Sequence, residues 1–355
     1  MSGLSLDFII HPGETLKEVL EENNMSQEEL ATRTGYSPKH VSEVINGKKG
    51  ISSEFAKRLA YVFTMPMSFW VNLQGIYDKE ILEYKEKESI ESEELNIIKK
   101  LKAVIKFAED NGLIKKTDNE VEKVILLRNL CGINNLANIK FLPMSQVAFR
   151  MSESVDIDVL YVWIRINELL AKQNEVKNDY DVEVLKKNIN NIKKCMFLDI
   201  NEAVAKLTQI FGKCGIIFRV SKNFKGAPVQ GFIKKHKNRI ILVMTIRGAF
   251  ADIFWFSLFH EIGHLINGDC ETQLIDYNYT KSPKEEAADK FASNTLIDQE
   301  EFITFLESKN YSKSTIEKLA KKNSVEPFIV VGRLQKELND YKLLSDMRLR
   351  YVWKV

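Results

Sequence analysis

Cysteine is sparse and scattered. Cys131, Cys195, Cys214 and Cys270 form no Cys-x-x-Cys pair, which argues against a disulfide framework and for reduced thiols in a cytoplasmic protein. No apolar run approaches the roughly 18 residues that a bilayer span requires. The opening MSGLSLDFIIHPGE has no basic start followed by an apolar core, so no secretory signal is expected. A large excess of one charge is missing too. Lys and Arg number 51 against 49 Asp and Glu, a net +2, so any nucleic-acid contact must come from a local surface. There is no internal repeat and no low-complexity tract. Histidine is scarce, at five in 355 residues, so where two of them fall carries information. The length is long for one core and suggests two or three domains.

Two histidines fall in FWFSLFHEIGHLINGD, residues 254–269. His260 and His264 are four apart, one above the other on a helix face, and can offer two imidazole nitrogens to one metal ion. Glu261 lies on the adjoining face, where a carboxylate can take a proton from water activated by that metal. The surrounding Phe254, Phe256, Leu258, Phe259, Ile262, Leu265 and Ile266 mark the helix as buried, and buried imidazoles need partners. Two core histidines sharing a face by accident is the bland alternative.

A catalytic zinc needs a third protein ligand and an open position. No histidine follows His264, which leaves Asp269, Cys270, Glu271, Asp276, Glu285 and Glu286. Asp269 and Cys270 sit too close to the end of the first helix to turn back easily. SPKEEAADKFASNTL reads as a second helix with small residues along it. Glu285 and Asp289 share a face there, so Glu285 can reach the metal while Asp289 accepts the N–H of a ligand histidine. Glu286, one residue off that face, is the main rival.

At the other end, Ser26 caps SQEELATRT with Glu29 as its capping-box partner, Gly35 can take a left-handed turn, and Ser37-Pro38 starts SPKHVSEVING. Helix, glycine turn, helix, with the small Ala31 where they cross, is the pattern of a helix-turn-helix whose second helix enters the major groove. On that pattern Ser37, Lys39, His40, Ser42 and Glu43 face base edges or phosphates, and Lys48 and Lys49 contact the phosphate backbone. A helical bundle used only for packing is the alternative.

Between these ends, Glu80 to Lys106 reads as a solvated amphipathic linking helix. EVEKVILLRNLCGI, VAFRMS, VLYVWIRINELLAK and VEVLKKNINNIKKC read as helices with apolar stripes that belong to a core. Arg150 and Arg165 are candidate buried ion-pair members, and Lys186-Lys187 and Lys193-Lys194 are expected on exposed faces. GIIFRV, VQGFIKK and NRIILVM read as short strands. STIEKLAKKNSVEPFIVVGRLQKE echoes a helix-turn-helix but is expected to be a packed cap; its Arg333 could reach toward the cleft.

Residues 11–63, together with FWVNLQGIYD, resemble the HigA-type antitoxin branch of the lambda-repressor-like fold, through Pro12-Gly13-Glu14, Asn46-Gly47-Lys48 and the Phe69-Trp70 to Tyr77-Asp78 ending. FWFSLFHEIGHL followed by EEAADKFA resembles the ImmA/IrrE zinc metallopeptidases. The second resemblance implies His260, His264 and Glu285 as zinc ligands and Glu261 as general base. Asp289 stands where that family often has Asn. Together the resemblances imply operator DNA as one partner, a repressor, antitoxin or toxin protein as another, a homodimer, and no membrane. The expected architecture is mainly α with a small α+β part. It comprises an all-α helix-turn-helix domain (1–78), a helical middle (79–206), a zincin-like core with a small sheet (207–297) and a helical cap (298–355). The expected function is a DNA-binding regulator with a zinc endopeptidase domain; an antitoxin-like repressor with a structural zinc site is the alternative.

Overall fold

A computed structural model describes residues 6–142, 155–174, 176–246, 249–269, 274–276 and 282–351. The chain forms two compact units. One holds residues 1–95 with 119–122, the other residues 96–118 and 123–355.

In the first unit, α1 (Pro12–Glu22), α2 (Gln27–Thr34), α3 (Pro38–Ile45), α4 (Ser53–Val62) and α5 (Met67–Glu88) surround Leu16, Leu30, Val41, Val44, Phe55, Leu59 and Trp70, all fully buried. Each of the first four helices starts where a side chain accepts from an early N–H. His11 Nδ1 serves Gly13 at 2.9 Å, and Ser26, Ser37 and Ser52 serve Glu29, His40 and Phe55 at 3.1–3.2 Å. Gly35 ends α2 at φ 70°, and Arg58 donates to the Thr34 carbonyl at 2.8 Å. Gly13 is required for another reason: a Cβ there would lie 2.1 Å from the Val44 carbonyl oxygen.

The expected linking helix is not one helix. Helix α5 stops at Glu88, and α6 (Ser92–Lys100) and α7 (Lys102–Asp110) follow. Ile97, Ile98, Leu101, Val104, Ile105 and Ala108 are buried, so this stretch packs rather than being solvated. Helix α8 (Glu120–Cys131) comes next.

The second unit is built on a four-stranded mixed sheet of β1 (Ile216–Ser221), β2 (Gly231–His236), β3 (Arg239–Thr245) and β4 (Leu274–Asp276), in the order β1-β3-β2-β4. Strands β1 and β3 are parallel and the other pairs antiparallel. β4 is three residues long and carries no alternation that marks a strand. The β1 and β3 side chains alternate between faces. Ile216, Phe218, Ile240, Leu242 and Met244 join the core with α11 (Ile200–Lys213) and α12 (Ala251–Asn267). On the opposite face lies α9 (Ile157–Lys172). Its Trp163 meets Phe232 edge-on at 5.6 Å and donates from Nε1 to the Lys222 carbonyl at 2.9 Å. Arg165 bonds the Leu130 carbonyl and pairs with Glu168, while Arg150 and the stretch VAFRMS lie outside the described residues.

Helix α12 is buried along most of its length and is held from several sides. Asp252 in its first turn accepts a bidentate pair from Arg348, Nη2 to Oδ2 at 2.7 Å and Nε to Oδ1 at 3.2 Å, and Trp255 Nε1 donates to Tyr351 Oη at 2.6 Å. Its main neighbour is α13 (Pro283–Leu296), which starts at the Ser282 cap. The carbonyls at the end of α13 are met by two cations. Lys193, on α10 (Val182–Lys194), donates to Thr295 and Leu296 at 2.8 and 3.1 Å. Arg333 donates to Ser293 and Ile297 at 3.0 and 2.8 Å. Lys193 is therefore a half-buried cap, and of that pair only Lys194 is exposed. Arg333, on the helix after α14 (Gln299–Ser308) and α15 (Lys313–Lys322), namely α16 (Pro327–Leu338), turns to α13 and its guanidinium lies over Phe302 at 4.0 Å. No helix among the described residues is long and apolar enough to cross a membrane.

Candidate metal centre and DNA-reading helix

The crossing of α12 and α13 depends on two small residues. A Cβ on Gly263 would lie 3.0 Å from Ala288 Cα, so Gly263, inside the His-Glu-x-x-His spacing, lets the second helix approach. Across that contact His260 Nε2 and His264 Nε2 lie 3.0 Å apart. Glu285 Oε2 is 3.0 Å from the first and 3.5 Å from the second. These three groups form the one metal-competent cluster among the described residues. Glu286 is exposed and outside it, Cys270 and Glu271 lie outside the described residues, and Asp276 lies in β4.

The other ring nitrogens decide what the cluster wants. His260 Nδ1 is 2.8 Å from Asp289 Oδ1, and His264 Nδ1 is 3.1 Å from Asp269 Oδ2. A carboxylate accepts, so each Nδ1 carries the proton and each Nε2 is left with a lone pair. Two lone pairs and a carboxylate oxygen then converge with no donor among them, which calls for a cation. The spacings suit zinc: bonds of about 2.0 Å at tetrahedral angles put ligand atoms about 3.3 Å apart. Ionisation follows the same logic. Burial works against the Glu285 carboxylate, yet His260 and His264, when protonated at Nε2, outweigh it by hydrogen bonding and charge and hold its pKa at about 2. Burial also opposes charge on His264, but Glu285 and Asp269 raise its pKa, so without a metal a proton takes the cation's place.

Asp269, expected to lie too close to the end of the helix to turn back, does turn back. It faces the far nitrogen of His264 and is itself paired with Lys284 at 3.2 Å. Asp289 is approached by Lys336 at 3.7 Å. Each histidine thus leads to a carboxylate and then to a lysine. Glu261 is 1% exposed, and a Cβ on Gly231 would lie 2.9 Å from its Oε1, so β2 can pass this close only because position 231 is glycine. Nothing in the sequence signals that role for Gly231.

On α3 the candidates separate. Lys39 is 86% exposed, and the Ser42 side chain is bonded by Asn46 Nδ2 at 3.2 Å. Ser37 is the N-cap. His40 is turned inward, stacked on Tyr36 at 4.5 Å and edge-on to Phe55 at 5.1 Å, with Nε2 covered. Glu43 pairs with Lys49 at 2.7 Å and more loosely with Lys39 at 3.9 Å. Lys48 is exposed.

Comparison with known proteins assigns both ends. Residues 16–70 match the helix-turn-helix family and residues 252–335 the IrrE N-terminal-like domain, a peptidase family. The chain carries a helix-turn-helix domain at its N-terminal end and an IrrE N-terminal-like domain at its C-terminal end. Virulence-associated protein I of Dichelobacter nodosus is 35% identical over 82 residues, 23% of this chain and 75% of that protein. The uncharacterized HTH-type transcriptional regulator YddM of Escherichia coli is 32% identical over 66 residues, 19% of this chain and 70% of that one. Among solved structures, the antitoxin HigA of Pseudomonas aeruginosa with its higBA promoter is 33% identical, covering 23% of this chain and 96% of that one at a TM-score of 0.21. A helix-turn-helix domain is thus followed in this chain by a peptidase-like domain.

Proposed function

We propose that this protein is a cytoplasmic, homodimeric DNA-binding regulator whose C-terminal domain is a zinc-dependent endopeptidase acting on a repressor or antitoxin protein. The observation that carries it is the convergence of three acceptors, His260 Nε2, His264 Nε2 and Glu285 Oε2, at 3.0–3.5 Å beside the buried Glu261. Those three residues would hold zinc, which supplies Lewis acidity toward a scissile carbonyl and toward water. Asp289 and Asp269 fix the two imidazoles so that their Nε2 lone pairs face inward. Glu261 would take the proton from the attacking water and deliver it to the leaving amine. Ser37, Lys39, Ser42, Lys48 and Lys49 would meet operator DNA; the inward His40 and the ion-paired Glu43 would shape that surface from behind.

Glu261→Gln keeps the shape and removes the base, so it should abolish cleavage while leaving zinc content and DNA binding intact. A variant that still cleaves would remove Glu261 from the mechanism. A second reading, an antitoxin-like repressor with a structural zinc site, draws support from the burial of Glu261 to 1% exposure. It expects Lys39→Glu or Ser42→Glu to relieve repression and Glu261→Gln to change nothing.

A further inference from the structure

The net charge of +2 hides an uneven distribution. Residues 1–78, which include the helix-turn-helix, carry seven Lys and Arg against ten Asp and Glu. Residues 172–239 carry fifteen against six. Affinity for duplex DNA rests largely on phosphate neutralisation. The reading segment is therefore short of what it needs, and the charge of Lys49, one of its few cations near α3, is partly offset by Glu43.

The surplus in the second unit collects at one corner. Strands β2 and β3 are joined by a two-residue turn, Lys237-Asn238, with His236 opposite Arg239. Lys237 stands at φ 56°, a left-handed position that costs a side-chain-bearing residue of order 1 kcal/mol and usually goes to Gly or Asn. Two other turns gather around this one. The Asn238 carbonyl accepts from Tyr180 N at 2.8 Å, and Asn178 Nδ2, beside Tyr180, reaches the Lys213 carbonyl at 3.3 Å. Gly215 is packed so tightly on Asp179 that a Cβ would lie 2.2 Å from its backbone. Lys172, Lys177, Lys213, Lys235 and Lys237 are exposed there with the partly buried Arg239, and none forms an ion pair with a described residue. Of the nearby carboxylates Glu168 is paired with Lys234 and Arg165, whereas Asp179 and Asp181, hydrogen-bonded by Asn238 and by the first turn of α10, keep their charge and leave six cations against two anions there among the described residues. The positive field is felt locally. The pKa of His236 is lowered by burial and then by Lys172, Lys237 and Arg239.

We propose that this corner is a second DNA contact, gripping the phosphate backbone of duplex outside the sequence read by α3. It rests on the proposal that the chain binds DNA, and adds that the peptidase-like unit supplies much of the non-specific affinity.

The test is salt-dependent binding of the full chain to a labelled random-sequence duplex of about 40 base pairs, which needs no knowledge of the operator. For K235E/K237E/R239E the slope of log K against log salt should flatten by about 2 to 3, a loss of about tenfold or more at 50 mM salt. K177E/K213E, on the other two turns, should flatten it by about 1 to 2. Ser42→Glu should leave this slope largely intact and weaken only sequence-selective binding; failure there would count against the helix-turn-helix proposal and not this one. Unchanged slopes in both corner variants overturn the proposal. So would unchanged slopes with slower cleavage of acidic peptides, which would make the corner a substrate-docking surface.

Discussion

The two units are organised on different length scales. In the first, the contacts that define each helix are local: Ser26 to Glu29, Ser37 to His40 and Ser52 to Phe55 are all three residues apart. In the second, the contacts that define the site are remote. His260 meets Asp289 at a separation of 29 residues, Arg333 reaches Ser293 across 40, Lys193 reaches Thr295 across 102, and Arg348 pairs with Asp252 across 96. A locally capped bundle tolerates loss of any one contact. A site assembled from distant parts depends on several at once.

Metal removal should expose that difference most strongly. Chelation should lower the melting transition of the second unit and leave that of the first unmoved, since folded-state binding at a thousand times Kd is worth about 4 kcal/mol. Glu285→Ala should reduce zinc from about one per chain to a small fraction in elemental analysis. A well-folded wild type with no zinc would sink the peptidase proposal outright. Next in size is Arg348→Ala. It leaves the Asp252 carboxylate, 4% exposed, without its bidentate partner, a loss of about 3–5 kcal/mol confined to the second unit. Denaturant titration followed by tryptophan fluorescence would show one transition shifted; two shifted transitions would contradict the independence of the units.

The same contrast explains what could be read in advance. The helix-turn-helix was legible because caps, Gly35 and apolar spacing are short-range signals. The placing of His260, His264 and Glu285 on facing helices was legible because helix periodicity and a small-residue crossing are also local. Three of the four strands showed as β-branched runs, whereas β4, at three residues, had no room to show a pattern. What escaped depended on partners far away in the chain. Lys193 looked like half of a solvated pair, and its acceptors lie at the end of α13. His40 looked outward, yet the ring that holds it edge-on is Phe55, fifteen residues on. Asp269 looked too close to the end of α12 to turn back, yet it does turn back to His264, on the Nδ1 side and not the side of the metal-competent Nε2.

That last point is open to measurement. Asp269→Asn keeps the shape and should weaken zinc binding by about 10- to 100-fold, with Asp289→Asn in the same range. Competition with a chromophoric chelator would read both. Equal affinity to wild type in Asp269→Asn would mean that the 3.1 Å contact does not orient His264.

The smallest expected effect lies in the first unit. Ser37→Ala removes the acceptor for the His40 N–H and should cost about 1 kcal/mol, a typical N-cap loss. The cost should appear in the first transition alone and leave zinc affinity untouched. Because Ser37 also begins the reading helix, operator affinity separates two roles for one hydroxyl. Unchanged affinity would match a capping role alone, because a domain that stays folded binds as before. A loss of about tenfold or more in the still-folded variant would mean that the Ser37 side chain also touches DNA, and would move it from scaffold to recognition surface.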